Sequence, residues 1–209
     1  MKEYTVNLKK INLWLGEEIG MPSYRGNLIT SEVQVITATK LESKDLSVEF
    51  LFPYHASNYG CLSLKYIPNQ TEVLKITINS SNSKETILRD RLSVVLGKTT
   101  LGINADYTKV MMDYVMNNEI IKIIPSGELI FYTGANSEIG SSIMSNLFAV
   151  EILLNLLPLN EYNFDEKDME EFIDKCISLC KIKYAKRKEY NNKEKQKNCI
   201  EERKKNYTE

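Results

Sequence analysis

Gly97-Lys98-Thr99 has the form of the end of a phosphate-binding loop, so nucleotide binding is the first chemistry to weigh. Such a loop needs a strand feeding a glycine, then four residues, then Gly-Lys-Ser/Thr opening a helix, so that backbone N–H groups turn toward the phosphates. Five positions before Gly97 stands Leu92, and the four residues between, Ser93-Val94-Val95-Leu96, are mostly apolar. Gly102 then interrupts the segment that should be helical. The stretch reads as the C-terminus of a helix followed by a turn, and no nucleotide is expected.

Other chemistry-bearing residues are sparse. His55 is the only histidine, and no serine, cysteine or carboxylate stands in a recognisable pattern with it, which starves the usual acid–base and nucleophile schemes. Cys176 and Cys180 are four apart and share a helix face, but a zinc site needs further ligands and His55 is distant in sequence. The acidic run "DEKDMEE" at 165–171 fits the first turn of a helix, where carboxylates favour the macrodipole. Ser141-Ser142 suits a helix cap, and Met111, Met112 and Met116 suit core filling at helical spacing. The expectation is a non-enzymatic protein with no cofactor and no metal.

The 209 residues suit one domain plus a tail; 43% are apolar and 26% charged. No apolar run approaches the ~20 residues that cross a bilayer, the N-terminus is too charged for a secretion signal, and the four cysteines suit a reducing compartment. A cytoplasmic protein without membrane contact is therefore expected. The formal net charge of −1 conceals a split: residues 181–209 hold eleven Lys or Arg and five Glu, a net of +6, while residues 1–180 carry −7.

The elements that must position these residues begin with strands. Residues 1–20 read as a strand or short amphipathic piece closed by Gly16 and Gly20. Strand patterns follow at 28–42, 46–52, 59–67 and 72–78, with a hairpin turn at "PNQT". The period then changes to helical: 83–97 capped by Ser83 and ended by Gly97, and 104–118 capped by Asn104 or Asp106. Two strands are expected about Pro125-Ser126-Gly127, then a helix capped near Ser137 or Ser141 and stopped by Pro158. The last helix carries Met169, Phe172, Ile173, Cys176, Ile177 and Cys180 as its buried stripe, and the chain is expected to fray beyond Asn191. The order gives an α+β domain over 1–180 and a basic helical or disordered tail over 181–209.

Three stretches carry a family resemblance. "GINADY" at 102–107 resembles the Gly-Ile-Pro-x-Glu-Tyr segment in the fourth domain of the ribosomal translocase, elongation factor G. "SNYGCLSLKYIP" at 57–68 resembles its Q-Y-G-H-V tip and the strand after it. "LIFYTGANSEIGSSIMSNLFAVEILL" at 129–154 resembles its strand, glycine-bearing loop and D-S-S-E-x-A-F helix start. The order is the same, although the first gap is longer here. The resemblance covers about 46–157 and implies the two-layer βαβ-containing sandwich shared with the second domain of ribosomal protein S-five. The GTPase domain of that family is absent, Cys61 stands where its tip histidine would be, and Asn58 and Tyr59 replace its basic tip residues.

Two functions are expected from this. The first is an RNA- or ribosome-associated accessory factor that grips phosphates and stacks on unpaired bases through Lys181, Lys183, Tyr184, Lys186, Arg187 and Lys188, with Asn58 and Tyr59 contributing from the loop. The alternative is a protein–protein interaction subunit or regulator that reuses a translation-factor fold. The glutamates at 189, 194, 201, 202 and 209 weigh against the first, because i,i+4 pairs such as Glu189–Lys193 also suit a plain solvated helix.

Overall fold

A computed structural model describes the chain except residues 7, 23, 36–39, 53–58, 82–85 and 207–209; for residues 6 and 190–206 it describes the backbone alone. His55, Asn58 and Ser83 lie outside the described residues.

Among the described residues, ten strands form one curled, mainly antiparallel sheet, and three α-helices accompany it. The strands β1 (Lys2–Val6), β2 (Lys9–Leu15), β4 (Lys44–Leu51), β5 (Tyr59–Pro68), β10 (Gly127–Ser137), β6 (Val73–Ser81) and β3 (Asn27–Gln34) stand in that spatial order. Every neighbour along this path is antiparallel except β10 and β6, which run parallel and are joined through α1 (Ala105–Met116). Parallel neighbours need such a crossover, so β6–α1–β10 is a βαβ unit. Three short strands, β7 (Ile87–Leu88), β8 (Thr99–Leu101) and β9 (Ile103–Asn104), extend the sheet, with β8 pairing the end of β10. The class is α+β.

The main core lies between the sheet and the helices. Leu62, Leu64 and Tyr66 of β5 and Leu129 and Phe131 of β10 face it, and α2 (Ile143–Leu156) fills it, with eleven of its fourteen residues buried. Ser142 and Ser145 close the α2 N-terminus as a reciprocal capping box. The cap, Ser142, therefore stands one residue past Ser141, the nearer of the two expected caps. Asn104 caps α1 as expected, its side chain accepting from Asp106 N–H at 2.9 Å. A smaller core on the other face holds Trp14, Leu51, Tyr59, Cys61, Leu88 and Leu101. This second layer explains why β5 is buried on both faces over residues 59–64 rather than half-buried.

Two expected elements are replaced. In the described part of the helix expected over 83–97, from residue 86 on, the chain instead forms strand β7 and, after an extended Arg91, a 3-10 turn at Leu92–Val95. Ile87 and Leu88 pair with Thr100 and Thr99, and the buried Glu49 carboxylate takes the Leu92 N–H at 2.8 Å. Non-local pairing outweighs the local period here. The strand expected before Pro125 is instead a 3-10 turn at Glu119–Lys122, capped by Asn118. Lys98-Thr99 leads into β8 rather than a helix, and the Thr99 hydroxyl sits 2.6 Å from that of Ser93, which is structural use of the loop residues.

Candidate nucleic-acid interface

The last helix, α3, runs unbroken from Glu166 to Asn206, 41 residues. At 1.5 Å per residue that is about 60 Å of helix. The tail expected to fray is thus continuous with the helix that packs on the body. Met169, Ile173, Cys176, Ile177 and Cys180 are buried in the main core, and Phe172 is half-buried against it. Of the nineteen residues from Lys188 to Asn206, only Tyr190, Cys199 and Ile200 are apolar, so the packing stripe of the first half does not continue.

Two of the expected phosphate-binding cations are engaged within the protein. Lys183 Nζ lies 2.6 Å from Glu151 Oε1, and Glu151 is fully buried in the middle of α2. The same carboxylate accepts from Tyr114 Oη at 2.6 Å, Asn118 Nδ2 at 2.7 Å and Asn155 Nδ2 at 3.1 Å. Burial, then neighbouring Cys180 and Glu151, raise the Tyr114 phenol far above its ordinary value, which keeps it a donor to Glu151. Arg187 forms a forked pair with Asp113 of α1, at 2.9 Å from Nε and 2.6 Å from Nη2. These two contacts clamp α3 across α2 and α1.

Lys181, Lys186 and Lys188 are exposed, and Lys181 also stands 5.9 Å over the Phe148 ring. Tyr184 is half-buried against the core, which limits the ring area it can offer to a base. Tyr59 does not present itself to solvent at all: it is fully buried, and its hydroxyl donates to Glu49 Oε1 at 3.0 Å. The expected loop position is in fact the first residue of β5, roofed by the 3-10 turn. As it stands, this ring has no face for stacking on RNA.

Around Tyr59 lies a second buried polar group that sequence reasoning missed. Glu49 is 1% exposed, with Arg91 Nη1 at 3.9 Å and the Leu92 N–H on its carboxylate. Burial raises the Glu49 carboxyl, opposed by the Leu92 amide, Arg91 and Tyr59. Arg91 also lies 5.9 Å over the Trp14 ring. Burial pushes the Cys61 thiol well up, so it is a packing group beside this pair, not a nucleophile. The signal available in the sequence was a carboxylate within a mostly apolar strand, "LSVEFLF".

Cys176 and Cys180 are buried, with thiols pushed by burial up to about 12. No group of three or more His, Cys, Asp or Glu side chains among the described residues is placed to hold a metal ion. No described helix is long and apolar enough to cross a membrane. No protein-family model, curated protein or solved structure matches the chain.

Proposed function

We propose that the protein is a non-catalytic, RNA- or ribosome-associated accessory factor that contacts RNA along the exposed side and C-terminal half of α3. The observation that carries this reading is the clamped helix. Its first half is locked to the body by Lys183–Glu151 and Arg187–Asp113, and it continues as helix through the most basic part of the chain. Nine of the eleven cations after residue 180 lie outside those two pairs. A rigid helix holds such charges at fixed spacing, which lowers the entropic cost of following a phosphate backbone. The βαβ unit made by β6, α1 and β10, followed by α2, supports kinship with the fourth domain of elongation factor G and its two-layer sandwich. The buried Tyr59 removes one of that family's tip contacts and places the weight of the reading on α3.

Affinity purification of the tagged protein, with and without ribonuclease, tests this. Ribosomal proteins or a defined RNA that vanish on nuclease treatment are the expected result. A stoichiometric partner that persists would overturn it in favour of a second reading, a protein-interaction subunit. That alternative has its own observation: Val94 (42% exposed), Val95 (81%) and Ile139 (57%) present apolar surface on either side of Gly97.

A further inference from the structure

The main path of the sheet ends at β1 on one side and at β3 on the other, and the two ends differ. β1 has five residues and carries Lys2, and residues 162–164 are tied to it. Lys2 Nζ donates to the Tyr162 carbonyl at 2.6 Å, and Tyr4 Oη to that of Phe164 at 3.5 Å. Among the described residues, β3 pairs with β6 alone, so its outer edge is unpaired. Exposed edges are commonly blunted by brevity, by Lys or Pro, or by a bulge. β3 runs eight residues, "NLITSEVQ", without Lys or Pro, and its register with β6 is continuous. Glu32 is its one charge.

Hydrogen-bond parity fixes what this edge offers. The Val35 N–H donates to the Glu72 carbonyl at 3.0 Å, which continues the β3–β6 register by one residue. Bonding alternates along an antiparallel strand, so the odd-numbered residues of β3 bond β6. Leu28, Thr30, Glu32 and Gln34 therefore aim their N–H and C=O groups outward. Their side chains are exposed, whereas Ile29 and Val33, on the opposite face, pack against the main core.

These constraints favour a second copy of the same strand as the occupant. Two copies related by a twofold axis pair antiparallel with the same sheet face up, so even residues meet even ones. Centring the axis on Ser31 sets Leu28 opposite Gln34 of the second copy and Thr30 opposite Glu32. All four outward residues are then used, in about eight hydrogen bonds. On the core face Ile29 meets Val33 of the second copy, a favourable cross-strand pair that carries the apolar stripe from one copy to the other. The neighbouring registers are poorer. Centring on Thr30 leaves Gln34 opposite Gly26, outside the strand, and centring on Glu32 sets that carboxylate against itself. We propose that β3 is a dimerisation edge, pairing antiparallel about Ser31 with β3 of a second copy so that two sheets join into one. This pairing is independent of any RNA contact by α3.

Sedimentation velocity of the unaltered protein across the micromolar range is the test. A single strand edge lies at the small end of interfaces, below about 1,200 Å2, so a monomer–dimer equilibrium at micromolar concentration is expected. Thr30→Glu sets a new carboxylate against Glu32 of the second copy, twice per dimer, and should raise the dissociation constant at least about tenfold. Adding Glu32→Lys turns both repulsions into opposite-charge pairs and should return the constant to within about threefold of its starting value. Matched melting temperatures show the variants folded. Amide exchange by NMR needs no variant: Leu28, Thr30, Glu32 and Gln34 should gain protection as the dimer forms, while Ile29, Ser31 and Val33 are protected at every concentration. A dimer unmoved by Thr30→Glu, one not restored by Glu32→Lys, or one formed without protection at those four amides would overturn the proposal. So would a protein monomeric at every concentration, which would leave this edge to a strand from a different protein.

Discussion

Replacing Lys183 with methionine keeps the apolar stem that packs beside α2 and deletes only the ammonium. It would leave the fully buried Glu151 carboxylate with three neutral donors and no counter-charge. Breaking a buried pair by removing one partner costs about 3–5 kcal/mol, because the remaining charge is uncompensated. The Lys183 side chain is 29% exposed, so water already screens part of the interaction and about 2–3 kcal/mol is the fitting figure here. For a chain of this size that corresponds to a fall of about 5–10 °C in Tm. In a Glu151→Gln background the same lysine substitution should cost under about 1 kcal/mol, because no charge is left stranded. Urea denaturation of the four proteins of this cycle, followed by circular dichroism, provides the numbers. Equal cost of Lys183→Met in both backgrounds, or a cost below about 0.5 kcal/mol in the natural one, would refute the clamp.

Three further outcomes follow from the geometry. Gly102 has φ +109°, and a Cβ there would lie 2.3 Å from Ser81 Cβ, so Gly102→Ala should destabilise by at least about 2 kcal/mol in a denaturant melt. The raised Glu49 carboxyl means that the native state holds this proton more tightly than the unfolded chain. Its contribution to stability therefore falls as pH climbs from the ordinary value of 4.5 through the raised folded value. Melts at stepped pH should show that slope diminished in Glu49→Gln. Cys176 and Cys180, lifted from 9.0 to about 12, carry about a thousandfold less thiolate at pH 8 than free thiols. Peptide-level mass spectrometry after brief iodoacetamide treatment should find both unmodified in the native protein and fully alkylated in urea.

The periodic parts of the fold were legible. The α1 stripe and its Asn104 cap, the α3 stripe from Met169 to Cys180 and the strands β5 and β6 announce themselves through local spacing. The hairpin expected between those two strands at "PNQT" does not form, because β10 inserts between them and pairs with both. What was hidden depends on partners far away in sequence. Glu151 looks like an interruption of an apolar helix until α3 brings Lys183 onto it from 32 residues on. Likewise, 83–97 has a helical period, but Ile87-Leu88 is taken by β8 and Leu92 by Glu49, neither of which the local pattern encodes. Tyr59 follows turn-forming residues and resembles a tip residue, yet its burial comes from the second core layer that only the folded chain assembles. Of the candidate interface, the charge run was evident in the sequence. Its division into clamping and exposed cations was not.

A salt titration of RNA binding tests the role of α3 most directly. The unaltered protein and a Lys181→Gln, Lys186→Gln, Lys188→Gln variant would be compared for binding to a single-stranded RNA by fluorescence anisotropy, after matched melting temperatures show both folded. Each phosphate contact adds about −0.7 to the slope of log affinity against log salt, so loss of three should flatten the slope by about 2 and weaken binding at low salt. Equal affinity and slope for the two proteins, or no salt-dependent binding by either, would contradict the role assigned to α3.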